Sequence, residues 1–303
     1  MNYPKKTLII GAFSDIGKNA TFGDIQAKEV LISWLNENKM NFDVIDNVSN
    51  TEKQQLIEEI DPNKYDTLIY VCGPFGKNKI YKKFSHCLKI GLDISIINNE
   101  DYYLNDSNGL NFIIPRESPS KTNPELAFEA TSNKVLVVGL CLVHFQNPIE
   151  TSRHQQVDVA VEKYFKDSGN AIIKLDTLIN TPIRKNPTNI TSISQFESLV
   201  RKCDVIISSR LHGLVYSLKN NIPVVAIDPK LGGGKVTKQA NELGWPVIIN
   251  GDNLSSEDVS LAVQKALDKK NIDIMYKIQE SASKKIDKIK EELIQKINLY
   301  RDS

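Results

Sequence analysis

Hydrophobic positions along the chain switch repeatedly between two periods. Short continuous apolar runs are the pattern of strands buried on both faces. Apolar residues three and four apart are the pattern of helices with one buried stripe. Runs at 7–12, 42–45 and 67–71 read as strands. Between them, Ile25, Ala27, Val30, Leu31, Trp34 and Leu35 mark a helix opening at Gly23-Asp24, after a polar loop at 13–22, and 52–60 reads as a second helix. The third strand ends in the turn Cys72-Gly73-Pro74-Phe75-Gly76. Residues 80–90 read as helix, and 93–97 and 111–115 as strands. This alternation predicts a parallel, doubly wound α/β sheet.

A break follows at 118–131, with two prolines and several small polar residues. A second alternating series then begins. Strands are expected at 135–142, 171–175, 205–208, 223–227 and 247–249, and helices at 155–165, 193–200 and 255–267, with a polar loop at 180–189. In the last segment Ile278, Ala282, Ile286, Ile289, Leu293, Ile297 and Tyr300 make one apolar stripe, an amphipathic helix expected to pack on the body of the protein. The pattern therefore divides the chain into an N-terminal Rossmann-like domain, 1–133, and a C-terminal one, 134–303, closed by the helix 276–301.

Composition narrows the classes. A chain of 303 residues accommodates two domains of ordinary size. Hydrophobic content of 41% and charged content of 25% are those of a soluble globular protein. A formal net charge of +1 provides no basic field for nucleic acid. The N-terminal apolar run is too short for a signal peptide, and no stretch approaches a membrane span. Cys72, Cys87, Cys141 and Cys203 have no CxxC pairing and read as reduced core thiols of a cytoplasmic protein. His86, His144 and His154 lack metal-ligand spacing, so no metal is expected. His86 and His154 read as structural or exposed, while His144, just past a strand, could line a cleft.

The densest chemistry lies in residues 203–230, CDVIISSRLHGLVYSLKNNIPVVAIDPK. A buried strand enters the corner Arg210-Leu211-His212-Gly213. Leu214, Val215 and Leu218 follow at helical spacing, Asn220-Asn221 stop the helix, and Pro223 opens the next strand. In a parallel sheet such a corner lies at the carboxyl ends of the strands, where ligands bind. An arginine, a histidine and helix-start N–H groups there suit an anionic substrate that needs a proton moved. By pattern alone, His212 fits a satisfied core histidine better than a functional one.

Strand, Arg-Leu-His-Gly corner, helix and proline-entered strand together resemble the polysaccharide pyruvyl transferase family. The resemblance covers Asp204 to Gly244 best. Arg116-Glu117-Ser118, with Ser120, resembles the family's Arg-Glu/Asp-x-x-Ser segment, although spacing alone favours a solvated ion pair. Phe22-Gly23-Asp24 matches the family's Asn-x-Gly-Asp signature in part, with Thr21 where asparagine is usual. The plainer reading of Asp24 is a helix N-cap.

The resemblance implies two Rossmann-like domains facing across a cleft, a GT-B-like form, with the acceptor on the N-terminal side and the donor on the C-terminal side. The implied reaction is ketal transfer from phosphoenolpyruvate, without a cofactor, to a sugar of a cell-surface polysaccharide or its lipid-linked precursor. It assigns acid/base work to His212 and the donor's anionic groups to Arg210 and Arg116. Gly213, Gly23 and Asp24 become substrate-binding, and Lys230 touches phosphate, with Lys235 as a competing register. Arginine stays charged and histidine has an ordinary pKa of about 6.5, which suits those tasks. Peripheral contact with the inner face of a membrane stays open. The rival classes are a nucleotide-sugar-dependent glycosyltransferase and a non-catalytic anion-binding relative. Two further motifs fail on spacing. The turn Gly11 to Gly17 has Asp15 at the middle glycine, and no Tyr-x-x-x-Lys pair accompanies it. Gly232-Gly233-Gly234-Lys235 has Pro229 and Val236 where a phosphate loop needs glycine and Ser or Thr.

Overall fold

A computed structural model describes residues 6–11, 13, 20–46, 59–73, 80–97, 101–104, 109–143, 152–178 and 190–301. Most of the helix expected at 52–60, the glycine turn past Gly11, the turn past Gly73, His144 and the loop 180–189 lie outside those residues. The chain divides into two compact units, Met1–Asn133 and Lys134–Ser303.

In the first unit, β1 (Thr7–Gly11), α1 (Phe22–Glu37), β2 (Phe42–Asp46), β3 (Thr67–Val71), α2 (Ile80–Lys83), β4 (Leu88–Ser95), α3 (Asp101–Leu104) and β5 (Phe112–Glu117) follow one another. All strand pairs are parallel, in the order β2-β1-β3-β4-β5. Leu8 and Ile10 bury against one side of the sheet, with Leu68, Phe84 and Ile94. Ile9 faces the other side, with Ala27, Leu31 and Leu35 of α1. The continuous apolar run of β1 is thus explained by burial on both faces.

Residues 80–90 depart from the expected single helix. Only Ile80–Lys83 is helical, and β4 already begins at Leu88. A short apolar run fits either period, and here pairing with β3 and β5 on both sides decides for strand. The start of α1 also differs from the expectation. Thr21 is the N-cap, and Asp24 is the third helical residue, returning a bond to the Thr21 N–H at 2.9 Å. The two form a reciprocal capping box, which stabilises the first turn.

The second unit contains β6 (Val137–Cys141), α4 (His154–Ser168), β7 (Ala171–Lys174), α5 (Ile193–Val200), β8 (Val205–Ser208), α6 (Leu211–Lys219), β9 (Val224–Asp228), α7 (Lys235–Leu243), β10 (Ile248–Asn250), α8 (Ser256–Leu267) and α9 (Lys269–Arg301). Its sheet is also parallel, in the order β10-β9-β8-β6-β7. Counted along the chain, both sheets run 2-1-3-4-5, the flavodoxin-like order. Their switch points lie between the first and third strands.

Central strands β8 and β9 are wholly buried. Trp245, 1% exposed, donates its Nε1–H to the Val224 carbonyl at 2.8 Å and pins the end of α7 to the sheet. Only the start of α9 packs on this body. Asn271, Met275 and Ile278 are buried, and Lys285 reaches the Glu242 side chain and carbonyl, each at 2.9 Å. The expected packing of the whole stripe is therefore not observed: Ile286, Ile289, Leu293 and Tyr300 are exposed. No helix among the described residues is long and apolar enough to cross a membrane.

Candidate functional site

The carboxyl ends of β6, β8 and β9 carry the side chains of interest. At the end of β8 the chain turns sharply into α6, with Arg210 as its N-cap residue in extended conformation. Ser208 builds the turn. Its Oγ accepts the Arg210 N–H at 3.1 Å and lies 3.1 Å from the Cys141 carbonyl and 2.9 Å from that of Arg210. Ser209 Oγ accepts the Val143 N–H at 2.8 Å, tying the corner to the end of β6. Gly213 is buried one turn further on. A Cβ there would overlap Ser208 Oγ and stand 3.0 Å from Cys141 Sγ. Close packing of α6 on β6 and β8 therefore accounts for this glycine.

The guanidinium of Arg210 points into the unit. Nε donates to the Leu142 carbonyl at 3.1 Å, and Nη2 lies 3.2 Å from Asp176 Oδ1. Both side chains of this pair are largely buried, at 13% and 9% exposure. Asp176, just past β7, also accepts the Leu178 N–H at 2.9 Å. The expected open anion grip of Arg210 is replaced by this internal pair, because a carboxylate and a carbonyl already engage its donors. Burial pushes the neighbouring Cys141 thiol up to about 12, although the Arg210 charge pulls it the other way.

His212 points elsewhere and is exposed. It lines a cavity of about 200 Å³ with Asp176, Thr177, Ser192, Phe196 and Tyr216. Arg210 does not line that cavity. The expected pairing of guanidinium and imidazole in one pocket is thus indirect: Asp176 binds the first and shares a wall with the second.

A second, larger cavity of about 410 Å³ opens over the end of β9. Lys230, Lys235 and Lys238 line it, with Ser209, Ser152 and His154. Lys230 and Lys235, which compete for one role in the sequence, thus share one cavity. Lys238, three residues after Lys235, falls on the same helix face. His154 starts α4 and joins the wall, a position beyond the structural or exposed role expected for it.

The loop that carries these lysines is held by Asp228. Its Oδ2 accepts from the Gly234 N–H at 2.7 Å, the Thr237 N–H at 2.8 Å and the Thr237 hydroxyl at 2.9 Å. Oδ1 accepts the Lys230 N–H at 3.1 Å. Burial pushes this carboxyl up, but the N–H groups of Thr237 and Gly234, the Thr237 hydroxyl and the Lys230 N–H outweigh it and hold it below the ordinary range. Gly232 and Gly233, with φ of 76° and 84°, give the loop its left-handed turn. The N-terminus of α7 is thus capped by the protein's own carboxylate, which explains why a glycine run before a helix is not a phosphate loop here.

In the first unit, Arg116 sits on β5. Nε meets Glu117 Oε2 at 2.6 Å, Nη2 reaches Ser95 Oγ at 2.8 Å, and Nη1 lies 3.7 Å from Glu125 Oε1. Ser95 also hydrogen-bonds Glu117. The hydrogen bond from Arg116 holds the Glu117 carboxyl below its ordinary range. The ion-pair alternative for Arg116 is formed, and an incoming anion would compete with two carboxylates. Asp24 is engaged in the capping box, and Gly23 leaves room for the Glu125 carboxylate.

Asp176, Asp228, Ser209 and Lys238 have no part in the sequence-based expectations. A signal existed for the two aspartates: each is the first acid at or past the end of a strand expected to lie in a parallel sheet.

Over residues 22–230 the sequence matches the family model of the polysaccharide pyruvyl transferases. That span includes Arg116, Arg210, His212 and Lys230, and it ends before Lys235. No curated protein matches the chain. Among solved structures, the calicheamicin glycosyltransferase CalG4 is 12% identical, with 91% of this chain and 93% of that chain covered and a TM-score of 0.36. The spinosyn rhamnosyltransferase SpnG, complexed with spinosyn aglycone, is 9% identical over 90% and 95%, at 0.34. The UDP-GlcNAc 2-epimerase of Methanocaldococcus jannaschii, in complex with UDP-GlcNAc and UDP, is 11% identical over 88% and 94%, at 0.33. Likenesses this distant say nothing about activity.

Proposed function

Since the chain belongs to the polysaccharide pyruvyl transferase family, we propose that it takes phosphoenolpyruvate as donor and transfers its pyruvyl group as a ketal to a sugar. The acceptor is a sugar of a cell-surface polysaccharide or of its lipid-linked precursor, and it is assigned to residues 1–133. The observation that carries the donor reading is the cavity lined by Lys230, Lys235 and Lys238 at the carboxyl edge of the second sheet. Phosphoenolpyruvate carries a carboxylate and a phosphate on one small carbon frame, and clustered cations suit such an anion. Lysine side chains would hold it, because Asp228 already occupies the N–H groups at the start of α7.

The reaction balances as follows. A proton adds to the methylene carbon of the donor, leaving the adjacent carbon electrophilic. A sugar hydroxyl adds there and loses its proton, and the bond to phosphate oxygen breaks. A second hydroxyl of the sugar closes the ketal, and its proton leaves with inorganic phosphate. His212 is assigned the proton transfers from its place in the Arg-Leu-His-Gly corner. It lines the cavity beside Asp176 and not the lysine-lined one, so this assignment requires the donor's methylene carbon to extend from the lysines toward the corner. Arg210, engaged by Asp176, positions the corner that presents His212. Arg116 remains a proposed anion contact only where Glu117 and Glu125 release it.

Incubation with phosphoenolpyruvate and a panel of sugar acceptors tests the reading, with phosphate release and acceptor mass as readouts. His212→Ala should lower turnover by about 10²–10⁴ with the fold retained. Normal turnover in that variant would remove His212 from the mechanism. Release of a nucleoside diphosphate from a sugar nucleotide, with no phosphate from phosphoenolpyruvate, would move the protein to the glycosyltransferase class. Release of neither would leave an anion-binding relative.

A further inference from the structure

Beyond Ile278 the last helix keeps an apolar stripe that is exposed among the described residues. Ile286 is 62% exposed, Ile289 64% and Leu293 56%. The stripe residues Ile278, Ala282, Ile286, Ile289, Leu293, Ile297 and Tyr300 repeat every eleven positions. At about 3.67 residues per turn the stripe drifts slowly around the helix, in the sense opposite to that of a heptad seam.

Charge is arranged around this stripe. By helical spacing, Lys285 and Lys296, with Lys288 just behind, fall along one margin, and Lys290 and Arg301 along the other. Glu280, Asp287 and Glu291 fall on the face away from it. Glu292 shares the first margin and pairs with Lys296 at 2.5 Å, and Lys285 pairs with Glu242 at 2.9 Å. That leaves Lys288, Lys290 and Arg301 as the basic charges offered beside the stripe. From residue 277 onward the helix has seven basic residues (Lys277, Lys284, Lys285, Lys288, Lys290, Lys296 and Arg301) against four acidic ones (Glu280, Asp287, Glu291 and Glu292). Lys277, Lys284, Lys285 and Lys288 also line a shallow depression with Ser281 and Glu280, the last paired with Lys284.

This arrangement selects between occupants. In two copies paired along their stripes, basic residues on the facing margins would outnumber Glu292, the one acid there, where a stable helix pair needs balanced opposite charges. A layer of anionic headgroups meets the same margins with opposite charge while the stripe enters the acyl boundary. We propose that the distal half of α9 is an interfacial helix that docks the protein on a membrane surface rich in anionic phospholipid. The inference goes beyond the pyruvyl-transfer reading and does not rest on it, because its test reads lipid binding and not turnover.

The test is flotation of the full chain with phosphatidylcholine vesicles and with vesicles that also contain phosphatidylglycerol. The protein should float with the anionic vesicles and not with the neutral ones, and added salt should weaken binding. Ile289→Glu with Leu293→Glu should lower partitioning at least about tenfold, as should Lys288→Glu with Lys290→Glu. Thermal unfolding should be unchanged in both, because these side chains are exposed. Three results would overturn the proposal: no flotation with anionic vesicles, flotation indifferent to both double variants, or a dimer in light scattering that Ile289→Glu with Leu293→Glu dissociates. The last would give the stripe to a second copy of the chain.

Discussion

Asp93 on β4 and Asp228 on β9 occupy the fourth strand of two sheets with the same strand order, and both are almost wholly buried, at 3% and 2% exposure. Their carboxyls shift in opposite directions. Burial pushes Asp93 up, and its partners are weak: the Leu126 N–H at 3.3 Å and the Cys72 thiol at 3.5 Å. Asp228 is equally hidden, yet four short donors from one loop hold it down. The arginines repeat the contrast. Arg210 and Asp176 form a largely buried pair in the second unit, whereas Arg116 and Glu117 form a half-exposed one in the first. The count and geometry of donors, not depth, decide whether a carboxylate stabilises its surroundings. The second unit has committed its buried charges to fixing the corner and the lysine loop.

That contrast can be broken by substitution. The largest effect should come from Arg210→Met, which strands Asp176 in a buried position and should cost about 3–5 kcal/mol in urea unfolding. Arg210→Met with Asp176→Asn should recover part of the loss. If the single variant is as stable as the wild type, the pair is not structural.

Asp228→Asn comes next. It removes a charged acceptor from a buried cluster of donors and should cost about 1.5–3 kcal/mol. Because the folded carboxyl lies below its unfolded value, its contribution is complete above the unfolded pKa, about 3.9, and is lost as pH falls through the folded one. The variant should therefore lose more stability at neutral pH than in acid, and a loss independent of pH would contradict the assignment.

Arg116→Met should change stability by less than about 1 kcal/mol, since exposed ion pairs contribute little. A larger thermal shift would place that pair with the buried one. Asp93→Asn should have the smallest effect and the opposite sign at neutral pH. Its folded carboxyl lies above the unfolded value, so its contribution is present below the unfolded pKa and fades as pH rises through the folded one. The amide should be neutral or slightly stabilising at pH 7 by thermal unfolding, and a clear loss there would mean that the Leu126 and Cys72 contacts depend on the charge.

Much of the framework is legible in the order of residues. Continuous apolar runs such as Thr7–Gly11 and Val224–Asp228 can satisfy their burial only as interior parallel strands, and both are wholly buried. The Arg-Leu-His-Gly corner identifies its own place between strand and helix, and with it the family. Residues 80–90 were ambiguous because a short apolar run fits two periods, and the pairing of Leu88–Ser95 with β3 and β5 resolved it.

Local sequence thus determined most of the strands and helices, residues 80–90 excepted, and the residue types gathered at the carboxyl edge, because period, turn chemistry and capping act over a few neighbouring residues. Tertiary structure decided what the charged groups of the second unit's site face. Arg210 and Asp176 lie far apart in the chain and meet only once β6, β7 and β8 are side by side. Lys230 and Lys238 share a cavity only because Asp228 folds the intervening loop back onto its own strand. A side chain's partner depends on contacts distant in sequence, and no local pattern of residues carries that information.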